Sequence, residues 1–160
     1  MALLPSFHSL FLLLISVHLL ASLHTTSGAG LSSPVVQSIS CSTSGNYTPA
    51  AAYAANLNKF LTDLPVNAVS KNGGFFNGTV GQGAATVYGL AMCSAQFSRA
   101  DCSICLTAAA SSSGNGGLLQ RCPGSTTVLA MFDRCLVRYS DRNFLGTAET
   151  GIYFVNTPIF

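Results

Sequence analysis

The sequence predicts an α+β domain: an antiparallel β-sheet with two α-helices packed on it, held by three disulfides. Three observations carry this prediction. Strand-like and helix-like runs alternate along the chain, in the order strand, helix, strand, helix, strand, with long non-helical stretches between them. The six cysteines are even in number, and all follow an apolar leader that routes the chain to an oxidising compartment. The length of 160 residues, with no internal repeat, suits a single domain.

Residues 1–29 run through SLFLLLISVHLLASL into HTTSGAG, the pattern of a secretory signal peptide, with Ser27 and Ala29 as the small residues before the cut. A membrane span needs about 20 apolar residues. This run is interrupted by His18 and closed by polar residues. A first strand is expected over 33–42, where β-branched residues lead to Cys41. After the turn STSGNY, Thr48 is placed to cap a helix with Pro49 at its first position. Tyr53, Leu57, Phe60, Leu61 and Leu64 then fall on one face, and Pro65 is expected to stop the helix. The glycine-rich stretch 66–83 predicts a loop and a short strand around Phe75 and Phe76. Residues 84–93 read as a strand in which Gly89 marks close backbone approach or a bulge.

Ser98 with Asp101 three residues on predicts a capping box at the start of a second helix. Cys102, Cys105, Leu106 and Ala109 share one face of it, and the glycines of 111–117 end it. TTVLAMFDRCLVRYS, residues 126–140, reads as two strands joined by a bend. The tail, 145–160, holds a short apolar run from Ile152 to Val155 with no visible partner.

Composition narrows the chemistry. All three histidines lie in the leader, which leaves the mature chain five acids (Asp63, Asp101, Asp133, Asp141, Glu149) and seven bases. General acid-base chemistry near neutral pH draws mostly on His or on paired carboxylates. Neither is legible, so an enzyme is not expected, and no cofactor is implied. The formal charge of +2 is too small and scattered to suggest nucleic acid. Arg134, Arg138 and Arg142, spaced by four, would share one strand face, read first as a solvated face and second as a basic surface for anionic polysaccharide or a protein. Phe75, Phe76 and Tyr88 read as core. The sequons at Asn46 and Asn77 predict surface glycosylation, Asn77 above Asn46 because Pro49 follows the first sequon closely.

CSAQFSRADCSIC, from Cys93 to Cys105, spaces three cysteines as C-x8-C-x2-C. Structural zinc asks for four Cys or His ligands in two clusters, and only one C-x2-C and no mature His are present, so no metal is expected. A redox pair of Cys102 and Cys105 would sit in a βαβ setting, without four further cysteines in need of partners. A staple fits better. Cys102 and Cys105 lie one helical turn apart on one face, so each can reach a different element: Cys93 before the helix, and Cys122 or Cys135 after it. Six cysteines allow 15 connectivities, which sequence alone does not separate.

The C-x8-C-x2-C motif, preceded by VYGLAMC and followed by RC and then DRCLVRYSDRNF, resembles the plant ginkbilobin-homologous, or stress-antifungal, domain of small secreted antifungal proteins and of cysteine-rich receptor-like secretory proteins and kinases. The resemblance covers residues 35–144. It implies a sheet of five antiparallel strands with two helices, and bridges Cys41 to Cys122, Cys93 to Cys102 and Cys105 to Cys135. It also implies a mannose site in some members, at positions occupied here by Ser42, Leu129 and Ser140. The family's Asn, Arg and Glu ligands are absent from all three. Leu129 can offer a sugar hydroxyl nothing, and Asp141 and Arg142 next door point elsewhere along a strand. The expected function is a non-enzymatic recognition or defence module, secreted to the apoplast without a membrane anchor, whose partner is an extracellular protein or cell-wall carbohydrate. The alternatives are a mannose-binding antifungal protein and a shortened form of a tandem-domain receptor-like protein, with the tail as a cut linker.

Overall fold

The computed structural model describes residues 32–43, 45–112 and 116–147. The predicted leader and the Ile152–Val155 run lie outside the described residues. Five strands form one antiparallel sheet: β1 (Val36–Cys41), β2 (Phe75–Val80), β3 (Val87–Cys93), β4 (Val128–Phe132) and β5 (Cys135–Ser140), in spatial order β1-β4-β5-β3-β2. Two long helices, α1 (Ala52–Leu64) and α2 (Arg99–Ala110), and the single turn α3 (Leu118–Arg121) complete it. The α+β architecture expected from the sequence is the one found.

Alternation along the strands turns Val87 and Ala91 of β3, Val128, Ala130 and Phe132 of β4, and Val137 and Tyr139 of β5 towards the helices. There they meet Tyr53, Leu57, Phe60, Leu61 and Leu64 of α1 and Leu106 and Ala109 of α2, all buried. Gly89 stands on this inner face of β3, where a Cβ would lie 2.0 Å from the Phe60 ring. The close approach read from the sequence is therefore the role of this glycine, which lets α1 sit down on the sheet.

The second helix starts as predicted. Ser98 Oγ accepts from the Asp101 N–H at 3.2 Å while Asp101 Oδ2 accepts from the Ser98 N–H at 3.3 Å, a complete capping box. The start of α1 differs. Thr48 does not cap it; its carbonyl accepts from the Ala51 N–H at 2.9 Å, closing a turn through Pro49, and the helix begins at Ala52 after an extended Ala51. The cause is tertiary: Tyr47 N–H donates to Gly124 O at 2.8 Å and Asn46 bridges to Ser125, which fixes the approach to the helix before any local cap can form.

Pro65 ends α1 but not the helical path. At φ −59° and ψ −40° it opens a π-helical segment, Pro65–Lys71, that buries Ala68 and Val69. Its ring suits a helical φ, and the missing N–H falls at the junction, where the ladder widens instead of ending. The strand expected from residue 84 starts at Val87, after a 3-10 turn over Gly83–Ala85. The turn α3, hidden in the sequence behind Gly116 and Gly117, carries Leu118 into the core.

Three disulfides tie these layers: Cys41 to Cys122, Cys93 to Cys102, and Cys105 to Cys135. This is the pairing the resemblance implies. The two helix cysteines hold α2 to the end of β3 on one side and to the start of β5 on the other.

Candidate functional site

The helices cover only one face of the sheet. On the other face, cross-strand register lines up Phe75, Met92, Leu136 and Met131 in one row and Asn77, Leu90, Arg138 and Leu129 in the next. Beyond β5 the chain turns back, so that Phe144, Leu145, Gly146 and Thr147 wall a cleft of about 480 Å³ with these residues. Among the described residues Arg138 is the only charged one lining it, and its guanidinium stacks 3.9 Å above the Phe144 ring. Met92 and Phe75 remain 48% and 43% exposed.

This outer face is where sequence reasoning fell short. Phe76 does pack on the core, with its ring 6.2 Å from Phe60, but Phe75 and Tyr88, also expected as core, stand on the outer face and are not part of it. A signal was present. LAM in β3, VLAMF in β4 and CLV in β5 are apolar at both parities, whereas a half-buried antiparallel strand alternates apolar with polar.

A second cleft, also about 480 Å³, opens at the end of the sheet and is lined by Ser42, Thr126, Thr127, Arg138, Ser140, Asp141 and Arg142, among others. Of the three positions implied for sugar, Ser42 and Ser140 fall in this cleft, whereas Leu129 lines the apolar one; Asp141 and Arg142, expected to point elsewhere along a strand, line the polar cleft too, because β5 ends at Ser140. Both serines are engaged internally. Ser42 Oγ accepts from the Thr127 N–H at 3.2 Å; Ser140 Oγ lies 2.9 Å from Thr127 Oγ1 and accepts from the Arg142 N–H at 3.0 Å. Ser140 is also buried.

The three arginines do not form a shared basic surface. Arg134 sits in the bend before β5, 8% exposed, paired with Asp101 at 3.3 Å and Asp133 at 3.4 Å and placed over the Phe97 ring. It is structural. The Ser98 hydroxyl, foremost, holds the Asp101 carboxyl below its usual range, with the Ser98 N–H and Arg134 adding to the shift against a smaller desolvation. Burial raises the phenol pKa of Tyr53 and Tyr139 well above the usual range. Among the described residues no cluster of His, Cys, Asp or Glu could hold a metal, and no helix is long and apolar enough to cross a membrane. Asn46 and Asn77 are both exposed, and Asn77 lies on the edge strand β2 at the wall of the apolar cleft.

A five-stranded antiparallel sheet carrying helices on one face, with three disulfides of which two anchor α2, and with an apolar face left open, defines a disulfide-stapled α+β module. Residues 40–142 match the family described as salt stress response/antifungal, and the chain belongs to that family. It is 37% identical over 114 residues to cysteine-rich receptor-like protein kinase 6 of Oryza sativa, covering 71% of this chain and 15% of the kinase. It is 34% identical over 109 residues to an antimicrobial ginkbilobin-2-like protein of Castanea crenata, covering 68% of this chain and 42% of that protein. The chain thus spans less than half the length of these relatives.

Among solved structures, the tandem DUF26 ectodomain of the Arabidopsis thaliana receptor-like protein PDLP5 superposes with a TM-score of 0.61 at 26% identity, over 70% of this chain and 53% of that one. The corresponding ectodomain of PDLP8 shares the fold, with a TM-score of 0.67 at 24% identity, over 77% of this chain and 56% of that one. The family is that of DUF26 ectodomain modules, a non-catalytic fold, and some of its members are kinases through separate domains.

Proposed function

We propose that this chain is a recognition module of the plant cell exterior that docks a protein partner on the outer face of its sheet. The observation that carries this reading is the cleft in which Phe75, Leu90, Met92, Leu129, Met131 and Leu136 come together on the face that the helices leave open. Contiguous exposed apolar surface on a small domain marks an interaction site. Arg138, lying on the Phe144 ring at its margin, adds the kind of aromatic and guanidinium anchor that binding surfaces favour. Residues 35–144 form the working unit, delivered to the apoplast after removal of 1–29.

Mannose binding is the weaker reading. Leu129 turns one ligand position into part of an apolar wall, and the Ser42 and Ser140 hydroxyls already serve the fold. A glycan on Asn77 would stand at the β2 edge of the docking face, where it also blocks edge-to-edge pairing.

The test is capture from leaf extracellular fluid by the immobilised secreted protein, comparing wild type with Met92→Asp, a change at a half-exposed position that leaves the core intact. A protein retained by wild type and lost by Met92→Asp supports docking on this face. Equal retention by both rules the face out.

A further inference from the structure

We propose that the first N-acetylglucosamine of a glycan on Asn77 lies back over the Phe75 ring and covers the β2 end of the outer sheet face. The sequon Asn77-Gly78-Thr79 makes Asn77 the acceptor. The strand beneath it decides where the sugar rests, whether or not a partner docks on the remainder of the face.

Alternation along β2 turns Phe75, Asn77 and Thr79 to the outer face, all three exposed, and leaves Phe76 and Val80 packed on the core. Phe75 is thus the side chain two residues before the acceptor on the same face. At about 3.3 Å of rise per residue the two stand roughly 7 Å apart, a separation that one pyranose ring spans. A sugar joined to Asn77 Nδ2 and lying along β2 comes face to ring with Phe75. From β3, Met92 opposite Phe75 and Leu90 opposite Asn77 close the corner, and all four residues line the same cleft.

The two surfaces match in chemistry. A pyranose chair turns axial C–H groups to its faces and carries its hydroxyls and acetamide around the rim, so one face can rest on an aromatic ring while the polar groups stay in water. Phe75 is 43% exposed and Met92 beside it 48%, and each gains by losing apolar area to a cover.

The edge itself has no other protection. β2 is an outermost strand of the sheet and pairs with β3 in unbroken register from Phe75 to Val80. Its sequence FFNGTV carries neither charge nor proline. The opposite edge, β1, is interrupted by a register shift between Val36 and Ser38. Edge strands are ordinarily blunted by bulges, charges or proline, and a sugar held on Phe75 gives β2 the bulk it otherwise lacks.

The test uses the full chain, secreted from cells that leave N-glycans in the high-mannose form and trimmed with an endoglycosidase to a single N-acetylglucosamine. Peptide mass spectrometry reads the occupancy of Asn77. Thermal melts then compare wild type, Asn77→Gln, Phe75→Thr and the double variant, all trimmed, so that anything carried at Asn46 is common to the four. Asn77 is expected to be occupied. Loss of its sugar lowers the melting temperature by about 2 to 6 °C when Phe75 is present and leaves it unchanged in Phe75→Thr. NMR gives a reading independent of stability: the C–H proton resonances of this sugar lie upfield in wild type, under the ring current of Phe75, and return to free-sugar positions in Phe75→Thr.

An unoccupied Asn77 overturns the proposal. So does a melting temperature that ignores the sugar, a stabilisation that is the same with and without Phe75, or sugar resonances that do not respond to Phe75→Thr. Partner capture by wild type and Met92→Asp is read separately, so each of these failures leaves the docking reading standing.

Discussion

Replacing Gly89 with alanine tests how the helical layer is seated on the sheet. An alanine Cβ at this position would lie 2.0 Å from both Cε2 and Cζ of Phe60 and 2.8 Å from Cδ2. Ordinary carbon contacts lie at about 3.5 to 4.0 Å, so something must move by roughly 1.5 Å. Neither side yields easily. Phe60 is buried and has the Phe76 ring beside it, while Gly89 is paired to Gly78 on one side and to Tyr139 on the other, so the backbone cannot withdraw without breaking a ladder. Overpacking of a core costs about 1 to 3 kcal/mol, and this contact belongs at the upper end. With about 4 to 8 °C of melting temperature per kcal/mol for a domain of about 100 residues, Gly89→Ala should melt some 12 °C or more below wild type.

The companion variant Phe60→Leu shortens the ring. If the clash is the cause, Gly89→Ala/Phe60→Leu loses less than the sum of the single losses, by an interaction of about 1 to 2 kcal/mol in a denaturant-unfolding cycle. A Gly89→Ala protein within about 0.5 kcal/mol of wild type, the ordinary range for surface changes, or a strictly additive cycle, refutes the packing described for Phe60.

Other outcomes follow from the same structure. Ser98→Ala should lower stability by about 1 kcal/mol in urea unfolding through loss of the cap. Asp101 has a depressed pKa in the folded state, so its contribution is complete above the ordinary carboxylate pKa and is lost as pH falls through the depressed value; the melting temperature of Asp101→Asn should therefore fall less than that of wild type in a melting series taken below about pH 4. Tyr139 Oη is buried without a hydrogen-bond partner, so Tyr139→Phe should be neutral or stabilising by up to about 1 kcal/mol by thermal melt. Removing the Cys41–Cys122 bridge, which spans 81 residues, should cost about 4 to 5 kcal/mol, against about 2 to 3 for the nine-residue Cys93–Cys102 bridge, compared by urea midpoints of double alanine variants. Titration calorimetry with mannose and with mannan should give no saturable heat.

What could be read before folding was whatever is encoded locally. Ser98 and Asp101 announce a capping box because both partners lie within one turn, and Gly89 announces close approach because a strand interior rarely tolerates glycine otherwise. Thr48 and Pro65 misled because each obeys its local rule only where tertiary contacts permit. Tyr47 and Asn46, anchored at Gly124 and Ser125, had already set the chain direction, and Ala68 and Val69 kept the path beyond Pro65 helical by burial. Arg134 seemed to join Arg138 and Arg142 by spacing alone, yet it sits in a bend beside Asp101 from a distant helix. The docking face was the least visible, since its rows exist only once β2, β3, β5 and β4 are in register; the apolar parity of β3 and β4 hinted that two faces are covered without naming what covers them.

The central claim is that recognition occurs on the outer sheet face and not in the polar cleft at its end. It is tested most directly by measuring the affinity of the captured partner, once purified, for three proteins side by side: wild type, Met92→Asp and Arg142→Ala. Docking on the outer face predicts that Met92→Asp weakens binding by at least about tenfold, the 1.4 kcal/mol expected when a charge enters an apolar contact, while Arg142→Ala binds as wild type does. The reverse order, with Arg142→Ala impaired and Met92→Asp unchanged, would contradict it.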